Sequence, residues 1–193
     1  RQRATMAADS DLVLVMGDLH VPHRAPEIPE QFRKILQPGK VSYVLCTGNL
    51  CTKEQMDELK ALAPKVHVVQ GDFDEDATLP ESKVVTIGHF RVGLVHGHDV
   101  VPWGDSEALA AKQRELNVDI LVSGHTHENS VAEYEGKYFI NPGSITGAYS
   151  GLKTDVVPSF VLMAVQGETV ATYVYELVAG ELKVSKSEFT KRR

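Results

Sequence analysis

Five short motifs combine residues that commonly bind divalent metals, and all contain glycine, which lets the backbone turn sharply and approach closely. They are GDLH at 17–20, GN at 48–49, GDFD at 71–74, HGH at 96–98 and GHTH at 124–127. Carboxylate oxygens and imidazole nitrogens together suit Mn²⁺, Zn²⁺ or Fe²⁺ better than Ca²⁺. A single such histidine is more often a hydrogen-bonded polar residue than a ligand. Five motifs in one chain predict a divalent-metal site.

Each motif follows an apolar run that predicts a buried strand, and ligands in open α/β sheets gather at the carboxyl ends of strands. The predicted strands are 12–16, 41–46, 66–69, 92–95 and 118–122. Helical periodicity is present at 29–37, 53–63 and 106–116. Thr52 and Gln55 have the spacing of a capping box at the start of the second helix. The alternation predicts a layered α/β fold.

The last third of the chain has a different pattern, with strands and short turns but no helical periodicity. Its predicted strands are 137–140, 159–165, 169–177 and 181–189. They favour a second, largely antiparallel sheet packed against the first. We expect one domain over residues 11–190, preceded by a polar, flexible extension at 1–10 in which Met6 is a plausible start.

Composition excludes several classes of protein. The chain has 193 residues, of which 42% are hydrophobic, as in a folded globular protein. A net charge of −6 argues against nucleic-acid binding, and the basic residues near both termini are interpreted as solvated tails. Cys46 and Cys51 do not form a disulfide framework, which favours ordinary thiols in a reducing, cytoplasmic compartment. No apolar run approaches the roughly 20 residues of a membrane-spanning helix.

The order of the motifs resembles the calcineurin-like metallophosphoesterase superfamily. Within it, the chain resembles the family of small subunits of the retromer coat from about Leu12 almost to its end. The stretches that carry this resemblance are GDLHVPHR, CTGNLCTKE, GDFDED, VHGHDVVPWGD, DILVSGHTHE and INPGSITGAY. The resemblance implies an α/β metallophosphoesterase sandwich, in which two mixed β-sheets are flanked by helices.

The resemblance also implies two neighbouring sites for Zn²⁺ or Mn²⁺, bound weakly or not at all. The implied ligands are Asp18, His20 and His127 for the first ion, Asp72, His96 and His125 for the second, and Asn49 as the bridge. Active members of the superfamily bridge the ions with aspartate and usually carry asparagine where this chain has Asp72. The carboxylate count is therefore kept, but the charge is missing where two cations repel each other.

Phe73 is the second departure, because active members have a histidine there that stabilises the phosphoryl group or protonates the leaving group. Such an acid contributes about 10²–10⁴ in rate, and phenylalanine has no proton to give. We therefore expect no catalytic residues and a non-catalytic interaction subunit. The alternative is a metal-dependent phosphodiesterase or phosphatase with weak activity.

Two surfaces are predicted to bind partners. The first is the apolar loop with Val100, Val101 and Trp103, which supplies no Arg or Lys for a phosphate and is typical of partner contacts unless it folds into the core. The second contains Leu162 and Tyr173, although residues 160–165 are apolar at every position and burial on both faces would also explain them.

The resemblance implies particular partners for these surfaces. The metal-site face would insert into the α-solenoid scaffold subunit of retromer, and the patch with Leu162 would bind regulatory proteins. An arrestin-like subunit and sorting nexins would belong to the same complex. The chain would then act in transport of membrane cargo from endosomes to the Golgi or the cell surface. It would be peripheral on endosomes, with only indirect membrane contact and no nucleic-acid partner.

Overall fold

The computed structural model describes residues 10–192, so all but the last residue of the predicted extension at 1–10 lies outside them. In chain order the elements are β1 (Asp11–Met16), α1 (Glu30–Ile35), β2 (Tyr43–Cys46), α2 (Lys53–Leu62), β3 (Lys65–Val68), β4 (Ser82–Ile87), β5 (Phe90–Val95), α3 (Ser106–Leu116), β6 (Ile120–Val122), β7 (Ser130–Tyr134), β8 (Lys137–Asn141), β9 (Ser159–Gln166), β10 (Thr169–Val178) and β11 (Glu181–Thr190). The predicted helices and the α/β character are confirmed. No helix in this part of the chain is long and apolar enough to cross a membrane.

The first sheet has six strands in the order β11-β10-β9-β1-β2-β3. Strands β1, β2 and β3 are parallel, whereas β9 pairs antiparallel with β1, with Leu14 opposite Leu162. The prediction that the last third forms a separate sheet is therefore wrong. Strand β9 is apolar on both faces, so it is stabilised in the interior of a sheet that is covered on both sides, and the open edge of β1 provides that place.

The second sheet has five strands in the order β4-β5-β6-β8-β7. Strands β5, β6 and β8 are parallel, and β4 and β7 are antiparallel edge strands. The sequence analysis missed both edge strands. Their side chains are largely exposed, so they lack the continuous apolar run of a central strand. The two mixed sheets with flanking helices agree with the predicted fold class.

The core lies between the two sheets and beneath the helices. The inter-sheet cluster includes Val13, Leu94, Ile120 and Met163, all with no exposed surface. A second cluster packs the other face of the six-stranded sheet against α1 and α2 around Phe32, and a third lies beneath α3. Strand β1 is therefore covered on both faces, which fixes the position of the loop that follows it.

Contacts at the start of α2 and after the end of β11 test two predictions from the sequence. The predicted cap at Thr52 is present, since its side chain accepts a hydrogen bond from the backbone N–H of Gln55. Lys191 is not a solvated tail as predicted. Its Nζ donates to Asp119 Oδ2 at 2.7 Å and to the backbone oxygen of His89 at 2.9 Å. These contacts bind the end of β11 to the second sheet.

Candidate metal centre

Six predicted ligands form two triads at the carboxyl ends of the strands. The triads are Asp18, His20 and His127, and Asp72, His96 and His125. In each triad the ligand atoms lie within 4.8 Å of one another. The side chains come from loops after β1, β3, β5 and β6, so both sheets contribute. The structure thus brings together residues that are up to 109 positions apart, as their strand-end positions predicted.

The backbone at these loops adopts a conformation that L-residues rarely take. Positive φ angles occur at Asp18 (50°), His20 (46°), Asn49 (56°), His125 (71°) and His127 (59°). A non-glycine residue in the left-handed region costs on the order of 1–3 kcal/mol and persists only where the surrounding structure determines it. Five such residues at one centre indicate that the loops are shaped to aim these side chains inward.

Two of the glycines are required because neighbouring loops approach closely. A Cβ at Gly17 would collide with Thr47 Oγ1, and one at Gly71 would collide with Asn49 Oδ1. The loops after β1, β2 and β3 can therefore meet only if these positions lack a side chain. This confirms that glycine beside the ligands serves close approach.

Asn49 occupies the centre between the triads with its amide nitrogen. Its Nδ2 donates to Asp72 Oδ1 at 2.9 Å and lies 3.4 Å from Asp18 Oδ1. The same nitrogen is 3.2 and 3.3 Å from the Nε2 atoms of two ligand histidines. Its Oδ1 instead accepts a hydrogen bond from the backbone N–H of Phe73 at 2.9 Å. The side chain therefore presents a donor to the centre, and its role as a bridging ligand stays a prediction.

Asp74 holds the backbone around Asn49 in place. Its Oδ2 accepts from the backbone N–H groups of Asn49 at 2.6 Å and Gly71 at 2.9 Å, and its Oδ1 accepts from Cys51 at 3.1 Å. One carboxylate thus joins the loops after β2 and β3. Asp74 is part of the GDFD motif, but the motif does not predict this role, because a local pattern does not show that two of the partners come from another loop.

Backbone carbonyls orient two of the imidazoles. His96 Nδ1 lies 2.7 Å from the oxygen of Thr47, and His127 Nδ1 lies 2.6 Å from the oxygen of Ala148. Because an N–H on Nδ1 satisfies each carbonyl, Nε2 is the nitrogen that faces the centre. Ligand histidines in metal sites are commonly oriented in this way.

The charges of the side chains at this centre suit the binding of cations. Burial opposes ionisation of Asp18 and Asp72, but neighbouring histidines hold the pKa of both carboxyls below the usual value. Burial also disfavours charged His96, yet the hydrogen bond to Asp72 and the charge of Asp18 raise its pKa. Burial lowers the pKa of His20 to about 4. Protons on some of these histidines thus partly compensate the carboxylates when no cation is bound.

The donor set fits two divalent cations, and each triad supplies one carboxylate and two imidazoles. Such donors suit Zn²⁺ and Mn²⁺, which agrees with the expected cofactor class without identifying the metal. Bound cations of this kind can polarise a phosphoryl oxygen or activate water. The residues of this chain would hold and separate the ions.

The mouth of the centre contains a cation that the sequence analysis missed. Arg24 lines a cavity of about 220 Å³ together with Phe73, Trp103, Leu152 and several ligands. Its guanidinium carbon lies 4.4 Å from the centroid of the Phe73 ring. Arg24 is contained in the quoted stretch GDLHVPHR, but a loop residue without periodicity gives no sign of the direction in which its side chain points.

The predicted partner-binding residues differ in their exposure to solvent. Val101 is 69% exposed and Trp103 is 46% exposed, so these two do not fold into the core. Val100 is buried, and a direct contact through it stays a prediction. Leu162 and Tyr173 are opposite each other on β9 and β10, and both are half-buried.

Comparison with known families and structures gives a consistent result. The model of the calcineurin-like phosphoesterase superfamily domain matches residues 12–168. Vacuolar protein sorting-associated protein 29 of Schizosaccharomyces pombe is 44% identical over 184 residues, which cover 93% of this chain and 98% of that protein.

Solved structures of Vps29 proteins are similar over nearly the whole chain. The Chaetomium thermophilum protein is 40% identical with a TM-score of 0.91, covering 94% of this chain and 100% of that one. The wild-type Entamoeba histolytica protein, complexed with Zn²⁺, is 54% identical with a TM-score of 0.88, covering 93% of this chain and 99% of that one.

Proposed function

Because this chain belongs to the vacuolar protein sorting-associated protein 29 family of the calcineurin-like phosphoesterase superfamily, we propose that it is a non-catalytic subunit of a retromer coat. In this role it docks on the α-solenoid scaffold subunit through the face that contains the metal centre. The arrestin-like subunit and sorting nexins share the complex, and the complex holds the chain on endosomal membranes during cargo transport.

The observation that carries this proposal is a ring of exposed apolar side chains around the mouth. Of the eight large hydrophobic residues exposed in the described part of the chain, five belong to it. Phe73, Trp103 and Leu152 line the cavity, Tyr149 contacts Arg24, and Val101 lies two residues before Trp103 in the same loop. Aromatic anchors around a central site are typical of protein interfaces, whereas a phosphoesterase needs a polar approach for its charged substrate.

The centre of the site supports binding over hydrolysis. Asn49 offers a neutral amide where two cations need an anionic bridge, and Phe73 offers no proton to a leaving group. The side chain of Phe73 is 53% exposed and contacts the His20 ring edge-on, with centroids 5.4 Å apart. It thus occupies the place beside the centre where an acid would act. Zn²⁺ or Mn²⁺ at the triads would order the loops that carry the ring.

A second surface supports contacts with regulatory proteins. Leu162 lines a cavity of about 180 Å³ on the outer face of the six-stranded sheet, together with Leu12, Ile35 and Leu36. Tyr173 lies directly across the ladder from Leu162. An apolar cavity of this size accepts one hydrophobic side chain from a peptide, and Tyr173 can extend the contact beside it.

Calorimetric binding to the full-length scaffold subunit tests the docking proposal. Val101→Asp places a charge in the exposed ring and should abolish tight binding while the chain stays folded. Val184→Asp is the matched control, because Val184 is 50% exposed but lies on β11, three strands away from β1. Absence of binding by the unsubstituted chain would refute the docking role, and a phosphodiesterase assay in Mn²⁺ would then test the enzymatic alternative.

A further inference from the structure

Arg24 is held in a fixed orientation at the mouth of the metal centre. Its guanidinium carbon lies 4.4 Å from the ring centroid of Phe73 and 5.0 Å from that of Tyr149. Its Nη1 donates to the backbone oxygen of Tyr149 at 3.0 Å. Contacts with two aromatic rings favour a guanidinium electrostatically and restrict its rotation. Arg24 is therefore preorganised, although it belongs to a surface loop.

The guanidinium keeps unused hydrogen-bonding capacity. An arginine carries five N–H donors, and only one contact of Arg24 to an oxygen atom is formed within residues 10–192. No carboxylate in this range forms an ion pair with it. An oriented guanidinium of this kind matches the planar, two-oxygen geometry of a carboxylate.

Size and charge restrict what the adjoining cavity can accept. Its volume of about 220 Å³ is smaller than the roughly 300–1,000 Å³ of small-molecule sites, so it suits one inserted side chain. Arg24 lines this cavity together with His20, His125 and His127, so its positive charge lies at the mouth of the centre. Divalent cations at the triads would make the mouth more positive still. The complementary occupant is a short anionic group.

We propose that Arg24, clamped by Phe73 and Tyr149, is the receptor for one aspartate or glutamate side chain that a docked protein inserts at the mouth of the metal centre. This inference rests on the proposed function, since docking on this face must bring the acid to Arg24. The ring of exposed apolar side chains surrounds the contact and excludes water from it, which strengthens a charge-assisted hydrogen bond.

Phe73 acquires a specific role from this arrangement. A histidine at that position, as in active relatives, would repel the guanidinium whenever it was protonated and would compete for the same anion. The phenyl ring instead supports Arg24. The replacement thus removes an acid and positions an anion receptor at the same time.

The test is calorimetric binding of the full-length scaffold subunit to the Zn²⁺-loaded chain. Arg24→Met keeps the length of the side chain but removes its charge, and we expect affinity to fall by about 30-fold or more, because it leaves a buried partner carboxylate unpaired. Arg33→Met is the matched control, since Arg33 is an exposed arginine on α1 that pairs with Glu27. It should bind like the unsubstituted chain. Arg24→Lys should recover part of the loss.

A double-mutant cycle identifies the acid. Each aspartate and glutamate on the partner's docking surface is replaced by its amide, and one replacement should weaken the unsubstituted chain but have little further effect on Arg24→Met. Absence of coupling for every such residue would overturn the inference. So would equal affinities of Arg24→Met and the unsubstituted chain. If that result accompanies lost binding by Val101→Asp, the docking role stands and only the role of Arg24 falls.

Discussion

Replacing Asn49 by aspartate tests whether a negative charge at this position destabilises the chain without metal and favours metal binding. The substitution exchanges an amide nitrogen for a carboxylate oxygen at a point 2.9 Å from Asp72 Oδ1 and 3.4 Å from Asp18 Oδ1. In the metal-free chain, two favourable contacts therefore become two repulsions between like charges. With cations at both triads, the same carboxylate would neutralise charge between them. The substitution should destabilise the metal-free chain and increase its response to metal.

The magnitude follows from the distances. Two like charges about 3 Å apart repel by roughly 5–6 kcal/mol at an effective dielectric constant of about 20. The site can avoid this by keeping one carboxyl protonated, and raising a carboxyl pKa from about 4 to about 7 costs roughly 4 kcal/mol at neutral pH. We therefore expect a loss of about 3–4 kcal/mol in chelator. For a domain of this size, that loss lowers the midpoint of thermal unfolding by about 10 °C.

Thermal unfolding in chelator and in Zn²⁺ measures both effects. Asn117→Asp is the control for the same chemical change away from the triads. Asn117 is exposed at the C-terminal end of α3, where a carboxylate costs about 1 kcal/mol or less. The reasoning is refuted if Asn49→Asp unfolds in chelator at the same temperature as the unsubstituted chain. It is also refuted if Zn²⁺ raises the midpoint of both proteins equally.

Two further predictions concern pH and the second surface. The pKa values of His96 and His127 are raised, so protons compete with metal for these side chains at a pH above the ordinary pKa of histidine. The rise in unfolding temperature that Zn²⁺ causes should therefore be smaller at about pH 6 than at about pH 8. Equal Zn²⁺-induced rises in unfolding temperature at both pH values would contradict the ligand assignment. In chelator, the stabilisation from these protonated histidines should instead be lost as pH rises through their folded-state pKa values. Leu162→Glu should remain folded with a loss of about 1–2 kcal/mol, because Leu162 is half-buried, and should leave scaffold binding intact. A chain that unfolds would show by circular dichroism that this residue belongs to the core.

The sequence predicts the positions of most residues in the candidate metal centre, because these residues follow strands that are easy to recognise. Asp18 and His96 each come within two residues of the end of a continuous apolar run, and the carboxyl ends of strands from both sheets meet at the site. The pairing of β9 with β1 was missed, since an apolar strand fits the interior of either sheet and only the assembled core selects between them. Arg24 was missed because its orientation depends on two aromatic residues from distant loops.

The backbone of the loops at the candidate metal centre is strained, and the surrounding contacts must offset the free-energy cost of that strain. Five left-handed residues at about 1 kcal/mol or more each amount to a large part of the stability of an ordinary domain. Hydroxyl groups hold these loops in place, since Ser144 Oγ donates to the backbone oxygen of Asp18 at 2.7 Å and Thr146 Oγ1 to that of Leu19 at 2.7 Å. The backbone N–H of His125 donates to Asp18 Oδ2 at 3.0 Å, which joins the first loop to the last. In the proposed docking role, a face held this firmly loses little conformational entropy when the partner binds, so the backbone strain acts as preorganisation.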